Sequence, residues 1–215
     1  MTGMKRKTIY WLRILTEISF LILFMFIIRS GKYQLWLLLF ALGVIFSMLF
    51  SRIFCGWVCP MNTLFRPLRS LFEKLGLKRI KTPKFMKKPA VRYLFLIIFM
   101  GIMISNLRSG MNLPVIMIIT GIAIIITVVF EEALWHNRLC PLGTILNLTS
   151  NFSVKGMKIK EEKCISCGKC QIVCPTHVIE TLGTGKRYIH KKDCLVCYSC
   201  QAVCPTEAIR YSHYP

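Results

Sequence analysis

Acidic residues are scarce in this sequence, which has nine Asp and Glu against 29 Lys and Arg and a formal net charge of +20. Such a surplus could serve nucleic acid binding, but no interleaved pattern of aromatic and basic residues accompanies it. The basic residues instead avoid two short connections between apolar runs, which carry only Arg29, Lys32 and Arg108. We therefore expect no nucleic acid partner and interpret the charge asymmetry as a signal of membrane topology.

Two common cofactor motifs are also missing. The sequence contains no C-x2-C-H pattern for haem attachment and no G-x-G-x-x-G pattern for dinucleotide binding. Neither a haem held by that motif nor a nucleotide in a Rossmann fold is therefore expected as the cofactor.

Apolar runs are abundant, since 54% of the residues are hydrophobic and the mean hydropathy is +0.55. Four runs come close to or exceed the ~20 residues with which a helix crosses a bilayer, and they cover residues 9–28, 33–50, 91–107 and 113–135. We predict four transmembrane helices in a bacterial or archaeal cytoplasmic membrane. The basic residues place both termini and the long middle connection in the cytoplasm, where they also contact lipid headgroups.

The middle connection contains an amphipathic segment. Apolar residues recur at helical spacing between Thr63 and Leu75, with charged residues on the other faces. We predict a helix lying in the membrane interface. Because proline is tolerated in the first turn of a helix, the helix is expected to begin near Pro67.

Eight of the eleven cysteines lie after residue 160, in two motifs thirty residues apart, "CISCGKCQIVCPT" and "CLVCYSCQAVCPT". Each reads C-x2-C-x2-C-x3-C-P, the spacing typical of bacterial [4Fe–4S] ferredoxins, in which the fourth cysteine ligates the other cluster. We predict two [4Fe–4S] clusters. The ligands of cluster 1 are predicted to be Cys164, Cys167, Cys170 and Cys204, and those of cluster 2 are Cys194, Cys197, Cys200 and Cys174.

Two other uses of these cysteines are disfavoured. Disulfides are rare in the reducing cytoplasm, and zinc sites more often show paired C-x2-C knuckles. Between the motifs, a hairpin is predicted to turn at Gly183–Gly185, and the segment "TSNFSVKGMKIK" before them is interpreted as a polar linker.

The apolar half contains a repeat of its own. "FCGWVCP" follows the second run and "WHNRLCP" follows the fourth, so that an aromatic residue, a ligand-type residue, three others and Cys-Pro recur. Each proline suits the first position of a new helix. The ligand-type residues Cys55, Cys59, Cys140 and His136 form a hypothetical further metal or redox site of soft donors.

Three carboxylates complete the candidate residues. Glu17 follows Arg13 by four positions inside the first run, and Glu131 and Glu132 precede His136. Charged residues within membrane segments are costly and often functional. A plain ion pair of Arg13 with Glu17 is the simpler interpretation; the sharper hypothesis is a proton-accepting site for quinol at Glu17, Glu131 and Glu132.

With these motifs the chain resembles the NapH-like membrane ferredoxins, whose relatives include membrane subunits of nitrate and nitrous oxide respiration and a group tied to copper assembly. The resemblance covers nearly the whole chain, but the family's second element normally has cysteine where His136 stands. It implies electron transfer between membrane quinone and a redox protein partner, as a subunit of a quinol-linked oxidoreductase.

We thus expect an α-helical membrane domain over residues 1–150 and an α+β double-cluster ferredoxin domain over residues 151–215. Two alternatives stay open. One is reduction and handling of copper during cofactor assembly by the cysteines of the apolar half; the other is a ferredoxin tethered by an anchor.

Overall fold

The computed structural model describes residues 3–109 and 115–214. The predicted start of the fourth apolar run, at residue 113, lies outside these residues. The chain divides into two compact units, of which the first combines Met1–Pro60 with Leu146–Pro215 and the second is Met61–Ile145. The division of the chain into domains at residue 150 stays a prediction.

The helices of the apolar half follow the sequence pattern closely. Most are separated by prolines, glycines or short polar stretches. Their bounds are α1 Gly3–Arg29, α2 Tyr33–Phe50, α3 Ile53–Trp57, α4 Pro60–Lys74, α5 Pro89–Arg108, α6 Val115–Val129, α7 Glu132–Leu134 and α8 Pro141–Thr149, with a π-helical turn at Trp135–Leu139. Pro60 and Pro141 each begin a helix, as predicted, because a proline at the first position loses no helical hydrogen bond.

The start predicted for the amphipathic helix is wrong. Helix α4 begins at Pro60 and contains Pro67 in its interior. The prediction took Pro67 as a first-turn residue, but Pro60 already provides that position. The helix tolerates the lost hydrogen bond at Pro67 at some cost in free energy.

The four apolar helices differ in length. Two are long and apolar enough to cross a membrane, Thr8–Arg29 and Pro89–Arg108, and two are shorter, Gln34–Phe50 and Val115–Val129. At 1.5 Å per residue the shorter ones reach about 25 and 22 Å, less than the ~30 Å of a hydrocarbon core. The four-span prediction is therefore met by two helices and stays a prediction for the other two.

The cysteine-rich part is an α+β fold built from two similar halves. Its elements are β1 Lys155–Ile159, α9 Lys169–Ile172, β2 Ile179–Thr181, β3 Arg187–Ile189, α10 Ser199–Val203 and β4 Ile209–His213. Strand β1 pairs antiparallel with β4, so that Ile159 faces Ile209, and β2 pairs with β3 in the predicted hairpin. Gly185 in its turn has φ 77°, a conformation that glycine adopts without strain.

The linker prediction fails at β1, since residues 155–159 belong to the sheet. Met157 in the middle of this strand is buried at 1% exposure in the small core between the two cysteine motifs. Cysteines contribute much of that core, together with Val178, Ile189 and Val196. A part of ~60 residues buries little apolar surface, so bound clusters are expected to add to its stability.

Candidate functional site

One cavity of the ferredoxin part collects four cysteines from both motifs. Cys164, Cys167 and Cys170 line it together with Cys204 from the second motif. The remaining walls are mostly apolar and include Ile159 and Ile209. Four soft donors in an apolar cavity fit the ligand set of a [4Fe–4S] cluster.

The other four cysteines influence one another electrostatically. Burial raises the pKa of the Cys194 thiol to about 12, with contributions from neighbouring Cys197 and Cys174. Burial also raises the pKa of Cys200, and Cys197 and Cys194 raise it further. Such thiols keep their protons near neutral pH unless a cation replaces them, which iron does on binding. This second group therefore also fits a cluster.

Both cysteine loops repeat the same backbone conformation. Left-handed φ angles occur at Ser166 and Val196, thirty residues apart, and again at Gly168 and Tyr198. A β-branched valine in this region is strained, and such strain persists where the surrounding structure holds it, often at functional sites. The two loops thus share one ligand-holding shape.

The loop of the second motif contacts the first apolar helix through Arg13, which is 1% exposed. Its guanidinium bonds Glu17 Oε1 at 2.8 Å and donates to the carbonyl of Gly56 at 3.2 Å. It also donates to the carbonyl oxygen of Cys197 and, at 3.3 Å, to Ser199 Oγ. A buried arginine with several acceptors is held in one place, so Arg13 ties α1 to the loop of cluster 2.

Helix α3 contacts the same loop at close range. A Cβ atom added to Gly56 would collide with the backbone oxygen of Leu195. Trp57 Nε1 donates to the carbonyl of Val196 at 3.0 Å, and its ring lies edge-on to Tyr198 with centroids 5.8 Å apart. Gly56 is therefore required by the close approach of two backbones.

Two further polar contacts hold the segment before Cys194. Asn147 on α8 donates to the carbonyl of Lys192 and to Asp193 Oδ1, both at 2.8 Å. Asp193 also lies 3.6 Å from the fully buried Arg52. The sequence analysis missed Arg52 and Asn147 and gave Arg13 only an ion pair. The sequence signal that could have identified Arg13 and Arg52 as contact residues is a charged residue inside or directly after an apolar run.

The repeated elements of the apolar half have the same local geometry. The amide of Cys59 donates to the carbonyl of Phe54 at 2.9 Å, and that of Cys140 donates to Trp135 at 2.9 Å. Each bond spans five residues, a π-type turn that is frequent at functional sites. The repeat in sequence is thus a repeat in structure.

The proposed four-ligand site at these elements is divided between the two units. Cys55 and Cys59 lie in the first unit, and His136 and Cys140 lie in the second. Among the residues that the structure describes, no three His, Cys, Asp or Glu side chains are grouped so that they could hold a metal ion. The four-ligand site therefore stays a prediction.

Cys55, His136 and Cys140 each make a contact within their own unit. Arg52 Nη2 lies 3.9 Å from Cys55 Sγ, where a guanidinium favours the thiolate form of the cysteine. His136 is buried with its ring edge-on to Phe65, at 5.5 Å between centroids. The amide of Gly143 donates to Cys140 Sγ at 3.3 Å.

The three candidate carboxylates do not form one group within either unit. Glu17 bonds Arg13 in the first unit. Glu132, in the second unit, lies 3.4 Å from Arg69 and 3.5 Å from Arg79, and Glu131 precedes helix α7. The quinol site built from them stays a prediction.

Comparison with known proteins identifies two families. A family described as "4Fe-4S binding domain" matches residues 34–80 and again residues 112–160, so each repeated element of the apolar half lies in one match. A family described as "4Fe-4S dicluster domain" matches residues 157–211. The prediction of two [4Fe–4S] clusters is thereby confirmed.

Individual relatives are ferredoxin-type proteins. The chain is 30% identical over 149 residues to the ferredoxin-type protein NapH of Haemophilus influenzae, covering 60% of this chain and 50% of that one. It is 31% identical over 173 residues to the methylamine utilization ferredoxin-type protein MauN of Methylorubrum extorquens, covering 69% and 58%. The chain spans about half the length of the curated relatives it matches.

Proposed function

Because this chain belongs to the NapH-like 4Fe–4S ferredoxin family, we propose that it is a membrane-bound protein that passes electrons between the quinone pool and a redox protein partner. The two clusters supply one-electron transfer chemistry. The chain contributes the ligands, the apolar walls that exclude water, and the attachment to the membrane. We propose it as a subunit of a quinol-linked oxidoreductase.

We assign the ligands as the sequence predicts. The cavity that joins Cys204 to Cys164, Cys167 and Cys170 supports cluster 1. The mutual effect of Cys174 and the second motif on their thiol pKa values supports cluster 2. Crossed ligation of this kind links the two halves, so neither half is expected to hold its cluster alone.

The proposed membrane arrangement has four spans with both termini and the ferredoxin part in the cytoplasm. Arg13, five residues into the apolar stretch Thr8–Arg29 of α1, contacts the ferredoxin part. Phe50 at the end of α2 also does so, since its carbonyl accepts from Tyr211 at 3.1 Å. The start of the first span and the end of the second therefore lie on the side of the clusters. This agrees with the positive-inside rule.

The observation that carries the proposal is the contact of Arg13 with the loop of cluster 2. An arginine inside an apolar helix is costly unless it has partners, and here the partners are Glu17, the Gly56 carbonyl and the loop of a cluster ligand. A simple anchor would not require this contact. The contact supports a route for electrons between the proposed cluster 2 and the apolar helix, where lipid-soluble quinone would bind.

The remaining candidate residues belong to this proposal as its least supported part. Glu17, Glu131 and Glu132 are proposed to accept protons from quinol. Cys55, Cys59, Cys140 and His136 are proposed to hold a further centre, supported by the "4Fe-4S binding domain" description of both matches that contain them. Copper handling by Cys55, Cys59 and Cys140 stays the alternative for these residues.

The test is electron exchange with a quinone in both directions. Full-length protein in lipid nanodiscs is mixed anaerobically with duroquinol, or is first reduced with dithionite and then mixed with duroquinone. Duroquinol loses two electrons and two protons as it becomes duroquinone, and each cluster takes one electron. The absorbance of the clusters in stopped flow should change in at least one of the two mixing experiments. No change of absorbance in either experiment would refute the proposal.

A glycine pair provides the matched control. Gly56→Ala should displace the cluster 2 loop and slow this exchange by about tenfold or more, because the added Cβ meets the Leu195 carbonyl. Gly121→Ala should leave the rate unchanged, because open space surrounds a Cβ there. Iron content near eight per chain shows that both variants keep their clusters.

A further inference from the structure

Residues thirty positions apart occupy equivalent places in the two halves of the ferredoxin part, yet they differ in exposure. Leu195 is 1% exposed, whereas its counterpart Ile165 is 61% exposed. Val196 is fully buried and Ser166 is half-buried. Cys197 is half-buried and Cys167 is exposed. The same face is therefore covered in the second half and open in the first.

The cover of the second half comes from this chain itself. Gly56 and Trp57 lie on Leu195 and Val196, and Arg13 lies on Cys197. The open face of the first half has the same loop shape, with left-handed residues at the same positions. The second loop uses this surface to contact other parts of the chain. The first loop, which has the same backbone shape, is therefore suited to contact another protein.

The open face also has the composition of a docking surface. Ile165 is 61% exposed and lines the same cavity as the exposed Cys167, and Ile172 is 80% exposed, three residues from Lys169 on helix α9. Single exposed apolar residues are ordinary, but Ile165 borders the cavity of the predicted cluster 1 ligands and forms an apolar centre at the point where electrons would leave. Protein interfaces combine such a centre with a polar rim.

The rim of this face is mainly positive. Lys186 Nζ donates to the Cys164 carbonyl at 2.6 Å, and Arg187 Nη2 donates to the Ser166 carbonyl at 3.2 Å. Lys163 and Lys169 are exposed nearby in sequence, against two acidic residues, Glu161 and Glu162.

The positive charge continues beyond the rim. Arg187 and Ile159 line both the cluster 1 cavity and an adjacent open cavity that carries Lys158 and Lys191. Potentials of one sign around a contact area steer a partner of the opposite sign.

We propose that the cluster 1 face, defined as Ile165, Cys167, Lys169, Ile172 and Arg187, is the docking surface for a soluble one-electron carrier protein with an acidic surface. Cluster 2 then exchanges electrons on the membrane side, and cluster 1 exchanges them with the carrier. This order deepens the proposed function and rests on it for the membrane step. The docking step stands on the exposed face alone.

The test loads the clusters without quinone. Full-length protein in nanodiscs is reduced with dithionite, excess reductant is removed, and oxidised plastocyanin is added as an acidic probe carrier. One electron leaves a reduced cluster and converts Cu(II) of plastocyanin to Cu(I), with no proton or bond change, and the blue colour is lost. Cytochrome c, a basic protein, is the probe of opposite charge.

Plastocyanin reduction should fall steeply with ionic strength, whereas cytochrome c reduction should not. Ile172→Glu and Lys169→Glu should each slow plastocyanin by about tenfold at low salt. His177→Glu is the matched control, because it adds the same charge near Cys174 and its counterpart Glu207 already has the same left-handed backbone. It should leave the rate within about twofold, since steering depends on charge near the contact.

Three results would overturn the docking surface. The first is an equal loss of rate in His177→Glu, the second is an unchanged rate in both face variants that retain their iron, and the third concerns a small probe. Ferricyanide, a small anion, separates a general electrostatic effect from docking, because equal slowing of ferricyanide and plastocyanin by Ile172→Glu would also overturn it. A failure of the quinone step leaves these rates measurable, so the two proposals can fail separately.

Discussion

The two halves of the ferredoxin part have identical cysteine spacing and opposite surroundings. In the first half the loop from Cys164 to Cys170 is open on one face, whereas in the second half the loop from Cys194 to Cys200 is covered by Arg13 and helix α3. Ligand spacing decides which cofactor is held. The residues between the ligands decide what lies against the cofactor. The same motif is therefore covered by helix α3 and Arg13 in the second half and exposed to solvent in the first.

The difference also bears on how easily each cluster is reduced. Burial disfavours added negative charge on a cluster, while hydrogen bonds and nearby cations favour it. In the proposed assignment cluster 2 has both influences, because Leu195 and Val196 exclude water and Arg13, paired with Glu17, donates hydrogen bonds to Cys197 and Ser199. Cluster 1 is more exposed and has Lys186 and Arg187 on its loop carbonyls.

The largest effect is expected when a cysteine that ligates the cluster of the other half is replaced. Cys204→Ala should remove cluster 1, although Cys204 belongs to the second motif, and Cys174→Ala should remove cluster 2. Each variant should retain about four iron atoms in place of about eight. Iron analysis and electron paramagnetic resonance of the reduced protein measure this. Loss of the cluster nearest in sequence would contradict the assignment.

The next largest effect is expected when the charged residue that covers the second loop, Arg13, is replaced. Arg13→Met leaves Glu17 buried without its ion pair, which should destabilise the first unit by about 3–5 kcal/mol. It should also lower the reduction potential of cluster 2 and leave that of cluster 1 unchanged. A redox titration followed by electron paramagnetic resonance separates these results.

Arg13→Lys is the control for this effect, because it keeps the charge but cannot reach all of the acceptors with one planar group. It should preserve most of the potential of cluster 2 while losing part of the stability. A parallel shift of both potentials in Arg13→Met would show that Arg13 acts on the whole ferredoxin part.

Equivalent residues of the two loops allow a direct comparison of burial. Leu195→Ala should cost about 2–5 kcal/mol, because it empties space in a packed contact. Ile165→Ala, at the equivalent exposed position, should stay within about 0.5 kcal/mol. Thermal unfolding of the two variants in the same detergent measures the difference. Equal costs would mean that the first loop is also covered in solution.

The smallest expected effect concerns one hydrogen bond. Trp57→Phe removes the donor to the Val196 carbonyl and keeps a ring against Tyr198, so it should cost about 1 kcal/mol. Trp57→Ala removes both contacts and should cost more. If Trp57→Phe has no effect in thermal unfolding, water replaces the indole at that carbonyl.

The sequence alone determined the chemistry of the clusters. Cysteines two and three residues apart in a tight loop meet one cluster through local geometry, which spacing alone expresses. The starts of α4 and α8 are also local features, because Pro60 and Pro141 each suit the first position of a helix. The start of α4 was missed because two prolines could each open it, and a sequence pattern does not rank them.

Tertiary structure decided what lies against each cluster. Residues 155–159 become a strand because they pair with β4, fifty or more residues later in the chain. The sequence of a short polar segment does not show that such a distant strand will pair with it. Arg13 meets Cys197 across 184 residues of chain, and the unequal burial of Leu195 and Ile165 accompanies the close contact of Gly56 in helix α3 with Leu195. Such contacts depend on the complete fold, because side chains far apart in sequence meet only after the backbone between them has folded.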